Sequence, residues 1–202
     1  LLNSLVIPES LVHAEGVLDA LDHSAPAPLC GAKLGIDATT PIPGEPVGPA
    51  PQEAPSGKAF DPATIWLSGA DEVATFSFPF MDVVNPLLII SIHKRAPHDG
   101  HRIARLVARA DTENTCRVIL VLDEDVDAHD YSVALWKFFN NTDPKRDIVE
   151  WEGRLFIDAT KKLPGEGHDR PWPDELTMDP DVKKRVDELW PRLGLGGSGE
   201  TE

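Results

Sequence analysis

Cys30 and Cys116 are the only cysteines in this 202-residue chain, and they stand far apart. Two such residues exclude the disulfide framework of a small secreted domain and fit buried thiols in a reducing compartment. No apolar run reaches the length of about eighteen residues that a membrane-spanning helix needs. Basic residues are scarce, with 19 lysines and arginines against 34 aspartates and glutamates, for a formal net charge of −15. A surface this acidic repels phosphate backbones and anionic lipid, which argues against nucleic-acid and membrane partners. Several catalytic signatures are also missing. There is no Gly-x-Ser-x-Gly elbow, no Walker loop and no cysteine–histidine pair at a convincing spacing. Leu1-Leu2-Asn3 is neither an initiator methionine nor a secretory signal, so the chain is expected to begin inside a longer polypeptide.

Hydrophobic residues make up 41 % of the chain, enough to bury a core. Leu11 to Leu21 carries apolar residues at 11, 14, 17, 18 and 21, a spacing that predicts a helix. Residues 46–58 hold Pro46, Pro49, Pro51 and Pro55 with little that is apolar, and read as an extended linker. Beyond it, Leu87 to Ile92 is an unbroken apolar run and predicts a strand buried on both faces. Ile103, Ala104, Leu106, Val107 and Ala110 form one helical face, and Arg117 to Leu122 predicts a second buried strand. Asp130 is placed to cap a helix bearing Tyr131, Ala134, Leu135 and Phe138, which Asn141-Thr142-Asp143-Pro144 ends. Ile148-Val149 and Leu155 to Ile157 predict short strands around a turn at Glu152-Gly153. The order strand, helix, strand, helix, strand implies an α/β fold, with a short parallel or mixed sheet flanked by helices and right-handed crossovers. A last helix is signposted by Asp179 at its N-cap and Pro180 at its first position, with an apolar stripe at Val182, Val186, Leu189, Trp190 and Leu193. Pro191 ends or kinks it.

One segment occurs twice. Leu34-Gly35-Ile36-Asp37-Ala38-Thr39 matches Leu155-Phe156-Ile157-Asp158-Ala159-Thr160, and Pro43-Gly44-Glu45 follows in register with Pro164-Gly165-Glu166. The gapless match suggests two copies of one unit, the first being the truncated end of a domain whose body lies upstream. Asp37 and Asp158 are expected to brace the turn after the strand through side-chain hydrogen bonds. Gly31-Ala32-Lys33 precedes the first copy, Gly153-Arg154 the second. A lysine beside glycine suits a phosphate contact, because glycine lets backbone amides approach and the ammonium adds charge; it equally suits a solvated turn.

Asp123, Asp125 and Asp127 alternate as in a calcium loop, but Ala128 and Ala134 stand where its turn glycine and bidentate glutamate belong. The three acids are left either to line a cleft at a strand's carboxyl end or to cap the next helix. His93, His98 and His101 lack a fourth zinc ligand and read as a helix start at the surface. Cys30 and Cys116 read as packing residues, and Trp66, Phe76, Phe78 and Phe80 as core or interface.

Five segments together resemble the UbiD family of carboxy-lyases. They are Ile90-Ser91-Ile92-His93-Lys94-Arg95-Ala96-Pro97-His98-Asp99-Gly100-His101; Val121-Leu122-Asp123-Glu124-Asp125-Val126-Asp127; Trp136 with Asn141 to Asp147; Gly31-Ala32-Lys33-Leu34-Gly35-Ile36-Asp37-Ala38-Thr39; and Met178-Asp179-Pro180 with Val186 to Trp190. In the usual family order the lysine motif follows the acidic strand end. Here a complete lysine motif precedes it, as in a doubled C-terminal domain of the longer, quinone-pathway type. The resemblance implies a homo-oligomeric cytoplasmic lyase that reversibly decarboxylates an aromatic or unsaturated acid, in ubiquinone or menaquinone biosynthesis. It also implies prenylated FMN with a divalent metal and potassium, held mostly by segments upstream. Lys33 would contact the flavin phosphate. No catalytic residue and no metal ligand of the family is matched in this chain, so whether the chain alone is an enzyme stays open. The implied organisation is the end of a preceding UbiD-like domain at 1–45, a Pro-rich linker at 46–64, an α/β domain at 65–178, a terminal helix at 179–195 and a flexible tail at 196–202. The alternative is a non-catalytic oligomerisation or assembly module, joined to the upstream part of the protein or to another subunit.

Overall fold

The computed structural model describes residues 11–17, 21–36, 43, 60–79 and 87–193. Two units are distinguished, Leu1–Trp172 and Pro173–Glu202. In the first, a short α1 (Ala63–Leu67) leads into a five-stranded sheet. The sheet is built from β3 (Val73–Ser77), β4 (Leu87–Ile92), β5 (Val118–Asp123), β6 (Ile148–Trp151) and β7 (Arg154–Asp158), in the order β3-β4-β5-β7-β6. The three central strands β4, β5 and β7 run parallel, and both edge strands are antiparallel.

The central strands explain the apolar runs. All six residues of β4 are buried. Successive side chains point to opposite faces, so Leu88, Ile90 and Ile92 join Ile119, Val121 and Phe156 in one core. Leu87 and Ile89 join Leu120, Leu122, Leu155 and Ile157 in the other. Helix α2 (Asp99–Ala110) covers the first face with Ile103, Ala104, Val107 and Ala108, and α3 (Tyr131–Asn141) covers the second with Ala134 and Phe138. Phe60 and Ile65 add to the α2 side. The link from β6 to β7 is a two-residue turn with Glu152 at φ 49° and Gly153 at φ 73°. Positive φ at both positions matches the right-handed twist of a hairpin.

Some local expectations are corrected. The segment predicted as a helix from Leu11 is a strand, β1 (Leu11–Val17), paired antiparallel with β2 (Cys30–Ile36) from Leu11↔Ile36 to Val17↔Cys30. Its apolar spacing was ambiguous, Gly16 weakens a helix, and a complementary strand close by in sequence settled the choice. On α3, Tyr131 and Leu135 are two-fifths exposed, because Lys137 and Asn141 share the inward face with Ala134 and Phe138. Cys116 is buried as expected, but Cys30 is exposed at the start of β2. Trp66 is 74 % exposed on α1, whereas Phe76 and Phe78 pack against the core. The linker at 46–58, the Asp37-Ala38-Thr39 and Gly44-Glu45 parts of the first repeat, Phe80 and the tail lie outside the described residues.

In the second unit, α5 (Pro180–Leu189) starts as expected: the Asp179 side chain accepts from the Asp181 amide, and Pro180 holds the first position. A single 3₁₀ turn at Trp190–Arg192 absorbs Pro191. No helix among the described residues is long and apolar enough to cross a membrane.

The buried ring of Phe156 lies between the α2 core and Trp151, with ring centroids 5.5 Å apart. Phe156→Ala is expected to cost about 3–5 kcal/mol through lost contacts and the cavity left behind. Urea unfolding should show a lower midpoint at an unchanged slope.

Candidate functional site

The carboxyl ends of the parallel strands gather most of the buried charge. Asp158 closes β7, and its carboxylate lies against the first turn of α2. A Cβ on Gly100 would come within 2.4 Å of Asp158 Cγ and Oδ2, so glycine is what permits this approach. Asp158 Oδ1 accepts from the Thr160 amide at 3.0 Å and the Thr160 hydroxyl at 2.5 Å, the turn brace expected from the repeat. Lys162 Nζ sits 3.1 Å from the same oxygen and 3.3 Å from Asp147 Oδ1. Burial works against ionising Asp158. The charges of Lys162 and Lys94, the Thr160 hydrogen bond and the charge of His101 outweigh it and hold the carboxyl well below the usual carboxylate range.

A second buried pair stands beside the first. Lys94, just after β4, donates to both Glu166 oxygens (2.8 and 2.6 Å), to Thr160 Oγ1 and to the Lys161 carbonyl. Glu166 also accepts the His98 amide at 2.7 Å. His98 is in the left-handed region at φ 66°, and Asp99 accepts the Arg95 and Ala96 amides, so the start of α2 is held from both sides. Lys94 and Lys162 are thus engaged by carboxylate, hydroxyl and carbonyl oxygens and, with their side chains buried, present no open cation.

The acidic strand end is a brace. Asp123 accepts the Lys161 amide at 2.8 Å, and burial pushes its carboxyl above the usual range. Asp130, not the Asp123–Asp127 run, caps α3, through the Val133 amide at 3.1 Å. The three histidines diverge: His93 pairs with Glu124, His98 stands at the N-cap position of α2 without a side-chain capping hydrogen bond, and His101 Nε2 faces the Asp147 carbonyl. Among the described residues no three His, Cys, Asp or Glu side chains converge as a metal site.

Lys33 belongs to a strap, residues 21–36, laid against this end of the sheet. The strap turns at Ala27–Cys30, with Leu29 at φ 62°, and the turn brings Asp22 back to Lys33. The Lys33 ammonium pairs with Asp22 Oδ2; the lysine side chain is 53 % exposed and the aspartate 12 %. Asp22 Oδ1 accepts the Ser24 amide at 3.0 Å and hydroxyl at 2.6 Å. Burial opposes its charge, but Lys33 and Ser24 outweigh this and hold its carboxyl below the usual value. The amide before Lys33, that of Ala32, donates to Asp143 Oδ2 at 2.9 Å. Asp143 also caps α4 (Pro144–Asp147) through the Lys145 and Arg146 amides, so one carboxylate ties strap to domain. On the far side, the Arg170 guanidinium donates to the Asp22 carbonyl, the Asp169 amide to that of Pro26, and His168 Nε2 lies 2.8 Å from that of His23.

In the gapless alignment of the two repeats Lys33 falls opposite Arg154, and the two behave differently. Arg154 is buried and donates to the Cys116 and Asp111 carbonyls, so it serves the core. Lys33 keeps an exposed cation. Asp22 and Arg170 stood in no sequence motif, and Asp143 stood only in the run that ends α3 and in the family-like stretch. Only the Asp-Pro of a helix start at Asp143-Pro144 offered a signal.

Residues 60–161, half of the chain, match the family described as 3-octaprenyl-4-hydroxybenzoate carboxy-lyase C-terminal domain. The chain belongs to the UbiD family. The match spans α1 to β7, and Lys33 lies before it. An uncharacterized protein of Aquifex aeolicus is 32 % identical to this UbiD-family chain over 140 residues, covering 61 % of the chain and 29 % of that protein. One from Helicobacter pylori strain 26695 is 28 % identical over 185 residues, covering 86 % of the chain and 27 % of its own length. The chain therefore spans less than a third of these relatives. The vanillic acid decarboxylase of Sedimentibacter hydroxybenzoicus in its closed form shares the fold at a TM-score of 0.51 and 18 % identity, over 66 % of this chain and 31 % of its own.

Asp158→Asn leaves Lys162 short of one buried partner and is expected to cost about 3–5 kcal/mol at neutral pH. The depressed carboxyl contributes stability that is present above the unfolded value, about 3.9 for aspartate, and is lost as the pH falls. Unfolding free energy measured by urea from pH 7 to pH 2 should therefore decline less steeply in acid for the variant than for the parent.

Proposed function

We propose that this chain is the C-terminal portion of a UbiD-type carboxy-lyase, the whole protein reversibly decarboxylating an aromatic or unsaturated acid, with quinone biosynthesis as its setting. The match of residues 60–161 to a carboxy-lyase C-terminal domain carries this reading. Prenylated FMN, when bound, supplies the electron sink for loss of carbon dioxide. The residues present fit a modest share in holding it. Lys33 offers a half-exposed ammonium on a braced strand, suited to one oxygen of a phosphate, while the neighbouring Ala32 amide is already spent on Asp143. The divalent metal and potassium are assigned in this reading to segments upstream; among the described residues no three His, Cys, Asp or Glu side chains converge.

In this reading residues 1–45 are the end of a preceding UbiD-like domain, 46–64 a linker, 65–178 the α/β domain, 179–195 a terminal helix and 196–202 a tail. The α/β domain gives the strap a rigid seat. Its buried ion pairs hold the loops after β4 and β7, and the second of those loops grips the strap through His168 to Arg170.

The exposed stripe on α5 supports a second, assembly role in a homo-oligomer. Val182, Val186, Leu189 and Trp190 are each 40–48 % exposed, although they share one helix face. A stripe of that kind suits another protein surface.

In the whole protein Lys33→Ala should lower flavin retention after purification while leaving the unfolding midpoint unchanged. Equal flavin occupancy would remove the cofactor role of Lys33. Deleting residues 179–202 should reduce the particle mass in light scattering, and an unchanged mass would place the α5 stripe against its own chain.

A further inference from the structure

Lys33 reaches solvent already paired with a carboxylate, and the two partners are not held alike. Asp22 is fixed by the amide and hydroxyl of Ser24 on one oxygen, by Lys33 on the other, and at its backbone carbonyl by Arg170. Among the described residues the Lys33 side chain pairs only with Asp22, through its terminal ammonium, and it is half exposed. The carboxylate is the anchored member of the pair and the ammonium the member free to move.

That asymmetry bears on any phosphate brought to Lys33. A phosphomonoester with a charge of about −1.5 to −2 meets a cation whose charge is largely cancelled, and a fixed negative charge beside it. We propose that Asp22 is a resident counter-ion of Lys33, which an incoming phosphomonoester must displace, so that Asp22 sets how weakly this site holds phosphate. The proposal rests on the reading that Lys33 contacts the phosphate of the flavin. Asp22 is then not a ligand. Its charge opposes the ligand and keeps the ammonium placed while no ligand is there.

The substitution Asp22→Asn separates these effects. The amide's Oδ1 still accepts both Ser24 hydrogen bonds, and the nitrogen that replaces Oδ2 cannot pair with the ammonium. Dissociation constants of FMN and of riboflavin for the flavin-free whole protein, measured by fluorescence quenching, isolate the phosphate through their ratio. In Asp22→Asn the preference for FMN over riboflavin should rise several-fold, on the order of 3- to 10-fold, as expected from removing one screened like charge. In Lys33→Ala the preference should fall by about tenfold, the lower end of what one hydrogen bond to a charged group contributes. A preference that falls in Asp22→Asn as it does in Lys33→Ala overturns the proposal, because Asp22 would then position the lysine for its ligand. An unchanged preference in Asp22→Asn, with Lys33→Ala still weakened, also overturns it while sparing the phosphate contact. If Lys33→Ala itself leaves the preference unaltered, the phosphate contact fails and the counter-ion role fails with it.

Discussion

The approach of Asp158 to the first turn of α2 is the constraint on which the rest of this end of the molecule depends. A carboxylate buried there is tolerable only because Thr160 and Lys162 satisfy it and because Gly100 leaves room. Lys162 in turn needs Asp147, and Asp147 accepts the Asp143 amide at 2.8 Å. Asp143 reaches the strap through Ala32. A chain of carboxylates and cations thus runs from the helix start, through the loop after β7 and the short α4, to the strand that carries Lys33. Removing one member leaves a buried charge without its partner, which is strongly destabilising, so the members hold their places only together.

Rigidity at this place has a use. Loops at the carboxyl ends of parallel strands are where α/β folds hold ligands, and such loops are ordinarily mobile. Here the loops after β4 and β7 are locked together by Lys94 and Glu166. The strap is laid over that locked surface, so its half-exposed lysine is presented from a firm base although the strap makes no long sheet of its own.

The central fold was legible because it is written in local patterns. Apolar runs at Leu87 to Ile92 and Arg117 to Leu122 marked the two-faced strands, and Asp130 and Asp179 marked helix starts. The Glu152-Gly153 hairpin was equally plain. Local patterns failed where pairing with another strand decided the outcome. Leu11 to Val17 carries a spacing that serves a helix or a strand, and β2 chose for it. The site was legible only in part, for the same reason. Lys33 stood out near Gly31, just before a repeated motif, but its carboxylate partner comes from the far side of a turn and the brace at Asp143 from far along the chain. Charges that meet only after folding leave no periodic trace in a sequence.

The grip on the strap has a consequence of another kind. His168, Asp169 and Arg170 hold it at the carbonyls of Asp22, His23 and Pro26, groups that every amino acid carries. Substitutions among the partly exposed residues 26–28 can therefore accumulate by neutral drift without loosening the attachment. Substitutions at 168 and 170 cannot, because two of the three contacts reside in those side chains, the third being the Asp169 amide. The variability of the one stretch and the constancy of the other would be inherited from a single choice of bonding partner.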